Sequence, residues 1–484
     1  MLLATFLSSL DGTAVSTALP TIAGELGGLD QLPWVLTAYL LGSVAATPFY
    51  GKLSDLYGRR NLTLFALAVF VVTSVMAGAS QTMWQLVASR GLQGIGGGGL
   101  MAMGFIVIGD IFSPRERGRY MAFYTMNFTI SALIGPVVGG AFVEVASWRW
   151  IFLINIPLGA VAVAAIMRNL TYRLPERDHR LDLVGGVMLV VAVTALILGL
   201  ALGGDTLGWS DPITVLLLVG SVLLGIVFVW WEQRAPEPII PMRLFRNPTF
   251  RTMIIGNVAY GAAAMGVFAF FPLFFQIALG ESPTRAGLIL AVMSVFVTIG
   301  SWVAGRVTTG RGRYRRLLQM AATLTLLSLV SFTFLDETSR ALTVVPWLAI
   351  AGFSMGAAFP TMTTATQNSL DIPDLGIGTA SINFFRTLGQ TVGIGALGAL
   401  LIGRINSELS DVVPADEVDD LLSTPEDVQA LEPSLREAVE SAVAVASNAV
   451  FWCAVPVMAV FVVAVMFVPE LELRTTTAVT TDDD

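Results

Sequence analysis

The chain has 484 residues, of which 55% are hydrophobic and 13% charged, with a net charge of −8 and a mean hydropathy of +0.75. Soluble domains carry about 25% charged residues, so this composition excludes a soluble globular protein and defines a polytopic membrane protein. The negative charge gathers in 405–446 and in Asp482-Asp483-Asp484, which gives no basic surface for nucleic acid.

An apolar helix needs roughly 20 residues to cross a bilayer. Runs of that length lie at about 2–24, 34–54, 61–79, 83–109, 120–143, 149–168, 183–203, 213–231, 252–279, 286–305, 315–335, 343–366, 378–403 and 447–468. The sequence therefore predicts an all-α integral membrane protein with fourteen transmembrane helices. The first run has no basic segment before it, so it does not read as a cleavable signal peptide. With the N-terminus inside, the cytoplasmic loops hold most of the 27 basic residues, including Lys52, Arg59, Arg60, Arg115, Arg117, Arg119 and the Arg306–Arg316 cluster. The outer loops hold only Arg285, Arg340, Arg404 and Arg436. By the positive-inside rule both termini are cytoplasmic. Runs seven and eight, with almost no polar side chains, are expected to face lipid. Residues 232–250 are Pro-rich and basic and read as a cytoplasmic linker. The acidic outer loop 405–446 is expected to hold an amphipathic helix near 426–446.

Several strings carry chemistry. Leu10-Asp11-Gly12-Thr13 puts a carboxylate near the middle of the first run. A charge there costs about 3 kcal/mol on insertion scales, so Asp11 must be protonated, paired or facing water; the plainer alternative is local backbone capping at Gly12 and Thr13. The string Gly51-Lys52-Leu53-Ser54-Asp55-Leu56-Tyr57-Gly58-Arg59-Arg60 reads as a tight charged hairpin between two spans, with glycines for close approach and turning. Leu86-Val87-Ala88-Ser89-Arg90-Gly91-Leu92-Gln93 places an arginine about two turns inside the fourth run, with Gln93 on its face. In Ser131-Ala132-Leu133-Ile134-Gly135-Pro136-Val137-Val138-Gly139-Gly140, Pro136 removes one helical hydrogen bond, which fits either a packing kink or a hinge. Trp148-Arg149-Trp150 opens the sixth run, where tryptophan is an ordinary interfacial anchor. Arg386 is a second arginine inside a run and has no partner nearby in sequence.

An offset of 254 residues maps Gly51, Gly58 and Arg59 onto Gly305, Gly312 and Arg313, with Asp55 replaced by Thr309. The same offset maps Gly135 and Gly139 onto Gly389 and Gly393. A duplicated unit follows, as in transporters built from parallel repeats.

The string at 51–60 resembles the cytoplasmic signature loop of the major facilitator superfamily. Those at 10–20, 86–96, 131–140 and 148–157 resemble motifs of its fourteen-span drug:proton antiporters. The resemblance implies a six-helix bundle at 1–168, two extra helices at 183–231, the linker 232–250, a second bundle at 251–468 and an acidic tail at 469–484. It implies a plasma-membrane exporter of lipophilic small molecules that works by alternating access in exchange for protons. Asp11 and Arg90 would couple the proton. Gly51, Asp55, Gly58, Arg59 and Arg60 would gate the cytoplasmic side, and Gly135, Pro136, Gly139 and Gly140 would form the antiporter hinge. Candidate cavity residues are Tyr39, Gln93, Asn127, Asn257 and Arg386, a set suited to neutral or monocationic molecules. An exporter of one endogenous lipid or metabolite fits the same residues, and a proton-coupled nutrient symporter is the further alternative. A monomer is expected.

No enzyme is expected. The lone Cys453 excludes an internal disulfide and a cysteine metal site. The chain has no metal-ligand spacing, no nucleophile motif with a histidine partner and no P-loop, so neither metal nor cofactor is expected. His179, the single histidine, sits in a charged loop.

Overall fold

The computed structural model describes residues 1–27, 31–170, 182–204, 208–410, 412, 413, 428 and 431–473. His179 and the terminal Asp482-Asp483-Asp484 lie outside these residues.

Long helices occupy all fourteen expected runs. They are α1 (Leu2–Leu26), α2 (Leu32–Tyr57), α3 (Arg59–Gly78), α4 (Met83–Ile111), α5 (Pro114–Val145), α6 (Arg149–Asn169) and α7 (Leu183–Gly204). Then follow α8 (Pro212–Glu232), α9 (Pro248–Ala278), α10 (Pro283–Arg311), α11 (Arg315–Phe332), α12 (Ala341–Ser369), α13 (Leu375–Leu409) and α14 (Pro433–Met466). Among the described residues, twelve of these are long and apolar enough to span a membrane by length and composition; α2 and α11 are outside that set.

The helices begin where the sequence supplies caps. Thr82 accepts from the Gln85 amide at 3.3 Å, and Asn247 accepts from Thr249 at 2.9 Å. Ser113 and Glu116 close a capping box ahead of α5, with Pro114 at the first helical position. Two π-helical turns, Gly261–Met265 and Phe274–Ala278, interrupt α9 on either side of Pro272, which has no amide to donate.

Two expectations need correction. Residues 51–57 are not a loop: α2 stays helical through Tyr57, and Gly58 alone makes the turn, at φ 82°. An amphipathic helix end carries its charges beyond the apolar run without unwinding. Likewise, of the helix expected near 426–446, residues 433–446 form the opening of α14, and 426, 427, 429 and 430 lie outside the described residues.

Helices α1–α6 share two apolar clusters, and α9–α14 share one large cluster that runs from Met253 to Leu473. Within the first set α2 and α4 are packed backbone to backbone. A side chain at Gly42 would strike the Gly91 carbonyl, and one at Gly94 would strike the Tyr39 carbonyl. Small residues let helix axes close in this way. Helices α7 and α8 pair with each other. Gly186 of α7 lies on Phe49 of α2, and Leu200 lies on Gly395 of α13. The outer face of α8, including Leu216, Val219, Leu223 and Ile226, is exposed and apolar.

The linker is firmly placed. Buried Glu232 accepts from the amides of Ile239 and Ile240 at 3.2 and 3.0 Å. Arg243 makes two 2.6 Å bonds to Asp374 at the start of α13, and Lys52 pairs with Glu237 at 3.2 Å.

The 254-residue repeat has a structural counterpart. Gly51 packs on Gly376 and Ala380 of α13, while Gly305 packs on Gly118 of α5. Gly58 and Gly312 both turn at positive φ, 82° and 63°. Each repeat thus places a glycine of one helix set against a helix of the other. Arg115 extends the second seam by donating to the Thr309 carbonyl at 2.8 Å.

Two Gly→Ala substitutions test the packing. Gly94→Ala drives a methyl into the Tyr39 backbone and should destabilise by about 1–3 kcal/mol. Gly220→Ala, with nothing within 4 Å of the added carbon, should be neutral or stabilising by up to about 1 kcal/mol. Thermal unfolding in detergent, read by tryptophan fluorescence, compares the two.

Candidate functional site

At the centre of the first helix set, Asp11 of α1 and Arg90 of α4 form an ion pair, with relative exposures of 1% and 0%. The glycine-rich face of α4 lets the two helices approach closely enough for this. Three further side chains close around the pair. Gln93, one turn after Arg90, accepts from its Nη1 at 2.7 Å and donates to Asp11 Oδ1 at 2.9 Å. Asn155 of α6 donates to the same carboxylate oxygen at 3.1 Å. Gln93 and Asn155 also both donate to Ser74 Oγ of α3, at 2.6 and 3.0 Å. The Arg90 guanidinium lies 4.3 Å from the Tyr39 ring centroid, and Tyr39 shares a 2.8 Å hydrogen bond with Ser8.

This network spends almost all the acceptor capacity of Asp11. Arg90 is less well served, because its Nε and Nη2 are buried without a partner among the described residues. An unsatisfied buried donor costs about 1–3 kcal/mol, and more when charged. The arrangement is therefore sensitive to the charge on Asp11. A protonated carboxyl would lose its charge-assisted bond to Arg90 and leave the guanidinium short of partners.

A second cluster lies at the ends of α2, α3 and α4. Arg59, 2% exposed, pairs with Asp55 at 2.6 Å and with Asp110 at 2.5 Å, and donates to Ser54. A side chain at Gly376 would strike the Asp55 carboxylate, so that acid sits on the first turn of the 35-residue α13. Helix N-termini favour anions. Asp55 thus faces both Arg59 and the opposite helix set. Arg60 is half-buried beside this cluster. Close by, Gln367 of α12 donates to the Phe105 carbonyl of α4 at 3.4 Å and to Thr379 of α13 at 3.0 Å.

The glycines around Pro136 meet α1 rather than the other helix set. Side chains at Gly135 and Gly139 would strike Thr13 and Ala14, and Thr13 donates to the Ser131 carbonyl at 3.0 Å. Gly140 has open space beside it. Trp148 and Arg149 both hold Glu25 at the end of α1, the indole nitrogen at 2.6 Å.

The cavity candidates divide. Tyr39 and Asn127 are half-buried, Asn127 donating to Thr5 Oγ1 at 3.1 Å. Gln93 and Asn257 are fully enclosed, and Asn257 bonds back to Met253 of its own helix at 2.8 Å, so neither offers a face to a solute in this conformation. Arg386 is half-buried, with its guanidinium 4.7 Å from the Phe359 centroid. The sequence reading missed Ser74, Asp110 and Asn155. For Asn155 a signal existed, since it lies inside the 148–157 string.

Membrane-length helices, two glycine-sealed seams and buried ion pairs are features of a multi-pass membrane transporter. The Major Facilitator Superfamily model matches residues 1–394, and the chain belongs to that superfamily; it is not an enzyme. The multidrug transporter protein MdtP of Bacillus subtilis is 38% identical over 416 residues, covering 85% of this chain and 76% of that protein. An Acurin A biosynthesis cluster MFS-type transporter of Aspergillus aculeatus is 33% identical over 427 residues, covering 87% and 77%. The crystal structure of the human organic anion transporter MFSD10 shares the fold, with a TM-score of 0.65, 15% identity and 97% coverage of both chains.

The contact of the Arg59 cluster with α13 is testable through Asp55. Asp55→Asn removes the charge that lies on the first turn of α13. A cysteine replacing buried Thr379, in a Cys453→Ala background, should then react with maleimide about tenfold faster, equivalent to ~1.4 kcal/mol. Unchanged labelling would show that the Asp55 carboxylate does not hold the two helix sets together.

Proposed function

We propose that this transporter is a proton-coupled exporter of lipophilic small molecules. It has fourteen spans arranged as bundles 1–168 and 251–468, with the extra pair 183–231 between them and the tail 469–484 beyond. It sits in the plasma membrane as a monomer, both termini cytoplasmic. The observation that carries the reading is the enclosed Asp11–Arg90 pair with its Gln93 and Asn155 donors. Ionisable groups within membrane helices mark transport or proton pathways by default.

The energetics fit a single proton as switch. A hydrogen bond to a charged group contributes about 1.5–3 kcal/mol, and an inward proton gains about 2.3 kcal/mol per 100 mV. Protonating Asp11 loosens α1 from α4 and α6, and the Gly135–Gly139 contact passes that movement to α5. Helix α5 carries the seam with α10. The lock at Arg59 then releases, and the cavity alternates between the two sides. Relatives named for multidrug transport and for a biosynthesis cluster support export, either of many lipophilic molecules or of one endogenous metabolite.

Asp11→Asn should abolish proton-driven efflux in inverted vesicles while leaving substrate binding within about threefold, ~0.6 kcal/mol. Efflux by this variant at the native rate, still sensitive to a protonophore, would remove Asp11 from the coupling step.

A further inference from the structure

Arg386 is the intramembrane charge that the coupling scheme leaves unused. It sits on α13, half-buried, and its enclosed Nε has no hydrogen-bond partner among the described residues. Two phenols, Tyr260 and Tyr124, face it, and among the described residues it forms no ion pair with a carboxylate. Both phenol protons are committed elsewhere: Tyr124 donates to the Met101 carbonyl at 3.1 Å and Tyr260 to the Met355 carbonyl at 3.4 Å. Neither phenol neutralises the guanidinium.

The surround is aromatic and drawn from both helix sets. Phe359 of α12 lies under the guanidinium and meets Phe105 of α4 edge-on at 5.3 Å; Phe105 in turn lies 4.2 Å from Tyr124 of α5. The face of Phe359 is thereby taken by Arg386 itself. Among the described residues, the acids enclosed in the spans are engaged elsewhere, and Glu144 of α5 is exposed. Asp11 is held by Arg90, Asp55 and Asp110 by Arg59, and Glu25 by Arg149. The junction of α4, α5, α9, α12 and α13 thus carries an uncompensated positive charge in a medium where charges act strongly.

We infer that Arg386 makes this junction selective for lipophilic monoanions over monocations of the same size and shape. An anion supplies the missing counter-charge and a hydrogen-bond acceptor for the guanidinium, and its apolar body packs on the phenyl and phenol rings. A monocation meets like charge with no acid to receive it. This replaces the expectation of neutral or monocationic substrates, and it rests on Arg386 being a substrate contact of the proposed exporter.

Tetraphenylborate and tetraphenylphosphonium differ in charge but hardly in shape. Their binding to the purified protein in uncharged detergent micelles, which lack the bilayer's dipole potential, measured calorimetrically with empty micelles subtracted, isolates the charge effect. The wild type should bind the borate at least about tenfold more tightly, ~1.4 kcal/mol. Arg386→Gln should lose that preference, and Arg386→Lys should keep most of it. Equal binding of the two ions, binding of neither, a preference for the phosphonium, or a borate preference that survives Arg386→Gln overturns the inference. The wild-type comparison alone can do so if a variant fails to fold. A borate preference that depends on Arg386 stands even where vesicle export proves independent of protons, a result that counts against the exporter reading only.

Discussion

The buried contact between Asp11 and Arg90 is the constraint around which the first six helices are arranged. Two opposite charges with almost no solvent exposure need further hydrogen bonds to offset the hydration they have lost. That requirement accounts for Gln93, Asn155 and Ser74, each on a different helix and each aimed at the same carboxylate or at its neighbours. The glycines of α4 serve its contact with α2, where side chains at Gly94 and Gly98 would strike the Tyr39 and Ser43 carbonyls. Replacing the pair with apolar residues would often be neutral or stabilising.

The two helix sets meet on different terms. Their seams, α2 against α13 and α5 against α10, combine glycine backbones, hydroxyls and one arginine reaching carbonyls with an apolar patch where Val44 and Phe49 of α2 share a cluster with Phe384 of α13. Inside the second set Phe271, Phe274, Phe332 and Phe451 pack on one another as a ring cluster. Across the two sets the ring contact between Phe105 and Phe359 is a single edge-on pair. The Arg59 cluster adds electrostatic attachment at one end of the first seam, and electrostatic attachments can be reversed.

Helix positions were legible because apolar run length is set by bilayer thickness, which leaves few alternatives. Asp11, Arg90 and Arg386 were legible because a charge in such a run is costly and stands out. Asp110 was not, because it sits at a helix end, where an acid is ordinary; only the fold reveals that Arg59 reaches it. Asn155 and Ser74 were hidden by chemistry, since neutral polar side chains are common in membrane helices and gain meaning from their partners. The signature string misled in one respect. Its charges resembled a loop, yet charged residues at 3–4 spacing suit a helix end as well, and Asp55 and Arg59 pair across the single-glycine turn.

The α5–α10 seam has a mechanical consequence. From Gly118, near the start of α5, it extends to Thr129, whose hydroxyl meets that of Thr298 at 2.8 Å about halfway along the helix. Beyond this point α5 continues for roughly 16 residues, about 24 Å at 1.5 Å per residue. A rod held at its middle against α10 is a lever, and each ten degrees of tilt swings its far half, with α1 packed on Gly135 and Gly139, by roughly 4 Å at the end. Hydroxyl pairs at the fulcrum can exchange partners without unpacking, so the contact can serve as a bearing, opening one mouth by the motion that closes the other.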